Sequence, residues 1–404
     1  MLVTAAGLGC AAPHPSPSSE RAVFRYDTVV GTQTILPAYG FSKQDRLVET
    51  AHRIRDMGSS TIKMALTARY CTADYHLPRD PSIHCLCDLA ERQPSVKAVL
   101  DMRFSNYIFW AYAFSQYRGG DSQQSLASFQ DGLSAGEASE VYREIHDLVA
   151  YLLKAYSGTG KTFYLGHWEG DWHLRWDYDR QRPLRKEAVD GMVRWLNVRQ
   201  EAIDDAKRET PHHDVDVFGY TEVNLVQRGL HGQPCAVTEV LPNVDVDYVS
   251  YSAWDATNKP ASAEALRQKL VAGLDFIEGH LRPRPDLPPG KRVWIGEFGY
   301  PAISYSEAEA DRNTRWVLRT GLEWGCPFVL YWELYNNEVE PGGRQRGYWM
   351  IDDHGRKTQV YRTYAAFYRE AGAFLRSFVS RNGRIPTRRE FAAAALRFPS
   401  LRPG

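Results

Sequence analysis

No stretch of the 404-residue chain is apolar for long enough to span a bilayer, and neither sign of charge prevails. Lys and Arg together number 49, as do Asp and Glu, so the formal net charge is zero. That removes the electrostatic case for a nucleic-acid or anionic-membrane partner. A glycine-rich phosphate loop is missing too: "VVGTQT", at the first apolar run, lacks the GxGxxG spacing of dinucleotide-binding folds. Internal repeats are absent. Cysteine is sparse, and Cys85-Leu-Cys87 lacks the two-residue spacer of common zinc and redox pairs. Neither a metal nor a cofactor is expected.

Aromatic residues are abundant, with 11 Trp, 23 Tyr and 16 Phe. Many belong in a core, but the supply also suits stacking against flat apolar ligand faces. The 43% hydrophobic and 24% charged residues are ordinary for a globular chain of a length that buries a large core easily.

The start, "MLVTAAGLGC", is small and apolar and ends at Cys10, and a Pro/Ser stretch, "AAPHPSPSSE", follows. It resembles the end of a bacterial lipoprotein signal, without the charged n-region and with Gly7 where Leu is usual. The expectation is an exported protein (periplasmic, secreted or lipid-anchored at Cys10), with residues 1–20 outside the fold. A disulfide from Cys71 to Cys85 or Cys87 is then expected. With Cys235 and Cys326, these make an odd set of five, which leaves at least one thiol unpaired within it.

From residue 27 onward, apolar runs alternate with amphipathic stretches. The runs 27–33, 60–66, 96–102, 162–168, 215–221, 247–253, 292–298 and 328–334 read as strands. Helical periodicity marks 43–57, 82–92, 137–156, 184–208, 261–280, 307–324 and 358–378. Continuously apolar strands indicate burial on both faces, as parallel sheets require. Eight such units predict an α/β chain folded as a (β/α)₈ TIM barrel over 21–380, with a tail at 381–404 carrying a short helix. The expected helix-to-strand connections at 58–59, 157–161 and 325–327 are short. The loops after the third, fourth and eighth strands (103–136, 169–183, 335–357) are long. Chemistry is therefore expected where strands stop.

Those ends carry Arg103 and Asn106 (third), His167, Trp168 and Glu169 (fourth), Glu222 and Asn224 (fifth), Tyr251 and Trp254 (sixth), Glu297 (seventh) and Trp332 (eighth). Carboxylates on the fourth and seventh strands would face each other across the barrel mouth. Such a pair can protonate a departing oxygen and attack an anomeric carbon.

The motifs "HWEG", "WIGEFG", "YWE" and "GYWMIDDHGRKTQVYRTY" resemble those of clan A (β/α)₈ glycoside hydrolases, such as the family-five cellulases and mannanases. The resemblance implies Glu297 as nucleophile, Glu169 as general acid/base, Trp332 as the floor of a sugar subsite and Tyr251 as a hydrogen-bond donor to the nucleophile. Asn106 or Asn224 would contact the sugar 2-hydroxyl. Two departures stand out. Trp168 occupies the position of the usual Asn before the acid, and the usual strand-two arginine is missing, with Lys63 or Arg69 as substitutes. His167 is expected beneath Glu169, on the same side of the strand. The expected activity is retaining hydrolysis of a β-linked oligo- or polysaccharide by a monomer. The other readings are an inert barrel that binds polysaccharide through aromatic loops and an unrelated barrel enzyme working through Glu222. Asp171 is an alternative acid, and Trp172, Trp176 and Trp349 are further loop aromatics.

Overall fold

The computed structural model describes residue 23 and residues 26–117, 129–175 and 178–402. Cys10 with its leader, and Trp176, lie outside the described residues. Eight parallel strands close in sequence order into a barrel: β1 Val30–Thr34, β2 Thr61–Leu66, β3 Asn106–Ala111, β4 Lys161–Gly166, β5 Val215–Val223, β6 Tyr248–Ser252, β7 Val293–Glu297 and β8 Val329–Tyr331. The expected (β/α)₈ architecture is the one observed.

One strand was expected in the wrong place. Residues 96–102 lie in the helix Pro94–Asp101 and its cap, and β3 follows at "NYIFWA". Val96, Val99 and Leu100 have the i, i+3, i+4 spacing of a buried helical stripe, Pro94 opens the helix, and the Gln93 side chain caps it. The correction moves Arg103 and Asn106 to the opposite end of the barrel. Asn106 starts β3 and bonds Thr61 and Ser105, while Arg103 lines a cleft with Arg55 and Arg376. Among the described residues, Cys71, Cys85, Cys87, Cys235 and Cys326 are all free thiols, so the expected disulfide does not form. The last long helix runs Gln359–Asn382. Beyond it, the helix Arg388–Ala395 buries Phe391 against Tyr26 and Phe367.

Alternation along the strands sorts side chains into two compartments. Val249, Tyr251, Val293 and Ile295 pack outward against the helices. Tyr164, Phe218, Tyr220, Tyr248, Trp294 and Phe328 form a separate aromatic cluster that fills the barrel interior. Gly166 makes room for it, since a Cβ there would sit 2.4 Å from the Tyr220 ring. Above this plug the interior turns polar, with Lys63, Glu222 and Ser250 all buried.

Candidate active site

The inward-facing residue of β7 is Trp294, so simple alternation would turn Glu297 outward with Val293 and Ile295. A register shift between β6 and β7 prevents this: Tyr251 pairs with Ile295, Ser252 with Glu297, and Gly296 is skipped. The bulge re-aims Glu297 into the mouth. It needs glycine at 296, because a Cβ there would lie 1.7 Å from Ser250 Oγ.

Glu297 is only 2% exposed. Its Oε1 accepts from Lys63 Nζ at 3.0 Å, and its Oε2 lies 3.4 Å from the Trp254 indole N–H. Lys63, at the centre of "TIKMAL", points inward because Ile62 and Met64 take the outer face. Its ammonium is fully buried, bonds Glu222 Oε2 at 3.0 Å as well, and stands 4.9 Å from the centre of the Trp110 ring.

Glu169 follows the end of β4. Its backbone N–H donates to Glu222 Oε1 at 3.1 Å, which ties the β4 loop to β5. Glycine must follow, since a Cβ at Gly170 would meet Met192 Cε at 2.7 Å and the Glu222 carbonyl at 2.9 Å. Ser252 Oγ stands between the two acids, 2.5 Å from Glu169 Oε1 and 3.1 Å from Glu297 Oε2. A hydroxyl has one proton to give. Two such contacts are both favourable only when one carboxyl is protonated and donates to Ser252, which in turn donates to the other.

The electrostatics say which acid keeps the proton. Burial raises the pKa of both carboxyls, because a dry site disfavours charge. Lys63 pulls Glu297 back down, whereas the charge of Glu297 pushes Glu169 further up. Glu297 therefore ionises first and Glu169 holds its proton. The two oxygens on Ser252 are no farther apart than those two contacts laid end to end.

Both acids open into one cavity of about 490 Å³, with Trp110, Trp168, Trp254 and Trp332 in its walls. Trp110 and Trp332 lie 5.9 Å apart, ring centre to ring centre.

The structure thus brings together Glu297, Glu169, Trp332, Trp168 and Trp254 from the sequence reading. The other candidates sit elsewhere. Tyr251 shares the outer parity of β6 and donates to Asp255 Oδ1 at 2.5 Å, so Ser252 and Trp254 take the place expected of it. His167 is not beneath the acid. Because β4 ends at Gly166, alternation does not carry on to Glu169, and the imidazole packs outward on Trp195. Its Nδ1 faces the Trp168 carbonyl at 2.7 Å and its Nε2 faces Thr221 Oγ1 at 2.7 Å, and burial keeps it neutral. Asn224 Oδ1 is committed to the Asp171 backbone N–H. Asp171 in turn accepts from the N–H groups of Asn224, Leu225 and Ala236, which makes it a structural carboxylate. Glu222 lies below the cavity floor, its oxygens engaged by Lys63, Ser250 (2.7 Å) and the Glu169 N–H. Of the two basic substitutes, Lys63 stands against Glu297, while Arg69 lines the cavity wall.

Trp110 and Ser252 are among the site residues that escaped the sequence reading. Trp110 was hidden by the misplaced third strand. Ser252 is a small polar residue whose signal was the alternation of Tyr248, Ser250 and Ser252 along one face of β6.

No protein-family model matches the chain, and no curated protein matches it in sequence. Solved structures match it in fold. A GH5_18 from Bifidobacterium longum subsp. infantis superposes with a TM-score of 0.55 at 14% identity, over 84% of this chain and 78% of that one. A point variant of the GH5_18 from Streptomyces cattleya, in complex with Manβ1-4GlcNAc, gives 0.55 at 13%, over 84% and 80%. The Streptomyces cattleya GH5_18 in complex with GlcNAc gives 0.54 at 12%, over 92% and 87%. The likeness is one of fold, the closed eight-stranded parallel barrel.

Proposed function

We propose that this chain is a retaining glycoside hydrolase that cleaves a β-linked glycan by double displacement. Glu297 is the nucleophile and Glu169 the general acid/base. The observation that carries the reading is the Glu169–Ser252–Glu297 chain with a buried ammonium on the Glu297 side alone. Environments that push two nearby carboxyl pKa values apart assign the acid and the base.

In the first step a Glu297 oxygen attacks the anomeric carbon while the glycosidic C–O bond breaks. Glu169 passes its proton to the departing oxygen. The product is a sugar ester on Glu297. Glu169, now a carboxylate, takes a proton from water, whose oxygen displaces Glu297 and regenerates both acids. Lys63 stays protonated throughout and balances the charge that moves on and off Glu297. The tryptophans offer apolar faces to the axial C–H groups of a sugar ring. Manβ1-4GlcNAc, held by one of the structural neighbours, is a sensible first β-linked substrate to try. Export, with a lipid anchor at Cys10, and a monomeric state belong to the same proposal.

A 2-deoxy-2-fluoro glycoside with a good leaving group tests it. The expected outcome is a covalent adduct on the peptide bearing Glu297, with Glu297→Gln binding glycan but turning none over. Native-rate hydrolysis by Glu297→Gln rules the assignment out, and binding without turnover by the wild type makes the barrel a lectin-like module.

A further inference from the structure

The strand that leads to Glu169 stops short of it. The ladder of β4 ends at Gly166, and His167 and Trp168 carry the backbone on to the acid. Side chains take over the hydrogen bonding there. Buried Arg199 donates to the carbonyls of Ala111 at 2.9 Å and Gly166 at 3.2 Å. Trp168 N–H donates to the Tyr112 hydroxyl at 2.8 Å, and Glu169 N–H donates to Glu222 Oε1 at 3.1 Å. Successive N–H groups of an extended chain point to opposite neighbours, and here those neighbours are the end of β3 and the end of β5. The acid therefore stands on an extension of β4 that side chains hold in place of the ladder.

Glu222, on the β5 side, is fixed by Lys63 and Ser250. Tyr112, on the other side, stands one residue beyond β3. It is buried, its ring lies nearly parallel to Trp195 with centres 6.3 Å apart, and its N–H bonds the Leu66 carbonyl at 3.1 Å. The position of its hydroxyl is thus set by packing.

The other hydrogen-bond contact of that hydroxyl is His173 Nε2, at 3.0 Å. Because the oxygen accepts from Trp168, the hydroxyl proton is satisfied only when it points at Nε2. His173 is then an acceptor and a neutral imidazole. Burial acts in the same direction, pushing the His173 pKa down to about 4. His173 belongs to the short helix Gly170–Arg175, which starts directly after the acid, and its ring meets Trp168 edge-on with centres 5.8 Å apart. A hydroxyl that donates also accepts more strongly, so His173 tightens the hold on the Trp168 N–H.

We propose that Tyr112, backed by His173, is a positioning residue for the general acid, and that the chain from Trp168 N–H through the Tyr112 hydroxyl to His173 Nε2 sets where the Glu169 carboxyl stands. Neither side chain exchanges a proton with substrate. The inference rests on the hydrolase reading for the task of the acid. A misplaced acid harms only those bonds whose leaving oxygen needs a proton, whereas a bond that merely braced the loop would affect all substrates alike.

Wild type, Tyr112→Phe, His173→Leu and His173→Gln are compared on the phenyl and 2,4-dinitrophenyl β-glycosides of mannose, glucose and galactose. Phenylalanine keeps the ring against Trp195 and deletes only the hydroxyl. In Tyr112→Phe, kcat/KM on the phenyl glycoside should fall about 10- to 100-fold, while the dinitrophenyl glycoside, whose leaving group departs unprotonated, should change by less than about threefold. The ratio of the two does not depend on how much of a variant is folded. His173→Leu should shift the ratio the same way by a smaller factor, and His173→Gln, which keeps an acceptor, should recover most of that shift. Equal losses on both glycosides, or no loss on the phenyl glycoside, would overturn the proposal.

A second measurement needs no turnover. In protein labelled with ¹³C at glutamate Cδ, the Glu169 signal, assigned by its loss in Glu169→Gln, is titrated in the wild type and in Tyr112→Phe. Burial raises this carboxyl's pKa, and loosening its backbone lets water in, so its midpoint should fall by about one pH unit in the variant. An unchanged midpoint would also overturn the proposal. The same shift in a protein whose wild type hydrolyses none of these glycosides supports the placement of Glu169 by Tyr112 and counts against the hydrolase reading instead.

Discussion

Across the cavity mouth, the β4–β7 side holds two carboxyls bridged by one hydroxyl, while the β8–β3 side holds two arginines, Arg69 and Arg346, with the carboxylates Asp74 and Glu338. The first arrangement fixes protonation and distance before any ligand arrives, which is how a site stabilises developing charge without reorganising. The contrast separates rate from recognition, and substitutions on the two sides should differ in size and in kind.

The largest effect belongs to the first side. Glu297→Gln removes the proposed nucleophile and should lower kcat by about 10⁴-fold or more, measured on an activated aryl glycoside, with glycan affinity retained. Lys63→Met comes next. It leaves Glu222 and Glu297 buried without their cation, a loss on the order of 3–5 kcal/mol of stability, read by denaturant unfolding. Removing a cation also raises the Glu297 pKa, so the acidic limb of the pH–rate profile should move to higher pH.

Ser252→Ala should act on shape rather than height. Protonated Glu169 loses its acceptor, so its pKa falls and the alkaline limb moves down. Ionised Glu297 loses a donor, so its pKa rises and the acidic limb moves up. Both limbs should close in by roughly one pH unit, narrowing the bell. A widened bell would show that Ser252 does not bridge a protonated and an ionised carboxyl. The smallest effect is that of Trp254→Phe, which keeps the apolar wall but deletes a long 3.4 Å contact to Glu297 and should change kcat only a few-fold. If any of these chiefly raised KM, the division between the two sides would fail.

The barrel was legible because its strands are apolar runs between amphipathic helices, and the acids were legible because they follow those runs. The errors share one cause, which is that a linear pattern carries no parity. Residues 96–102 are as apolar as a strand, and only Pro94 and the three-and-four spacing identify a helix. Tyr251 has the chemistry expected beside a nucleophile but stands on the outward-facing parity of β6, with Ser250 and Ser252 on the inner one. Glu297 itself would face outward under strict alternation, and its place in the site depends on a bulge that the sequence marks only with a glycine. Lys63 was readable as a lone cation in a buried strand, whereas its pairing with Glu222, far away along the chain, was not.

That glycine has a reach beyond its size. Any side chain at 296 must first displace Ser250, whose hydroxyl holds Glu222, which in turn anchors both Lys63 and the backbone of Glu169. A residue with no charge and no hydrogen-bonding side chain is thereby wired to the ionisation of both acids. Gly296→Ala should therefore show up as a titration defect before it shows up as a folding defect.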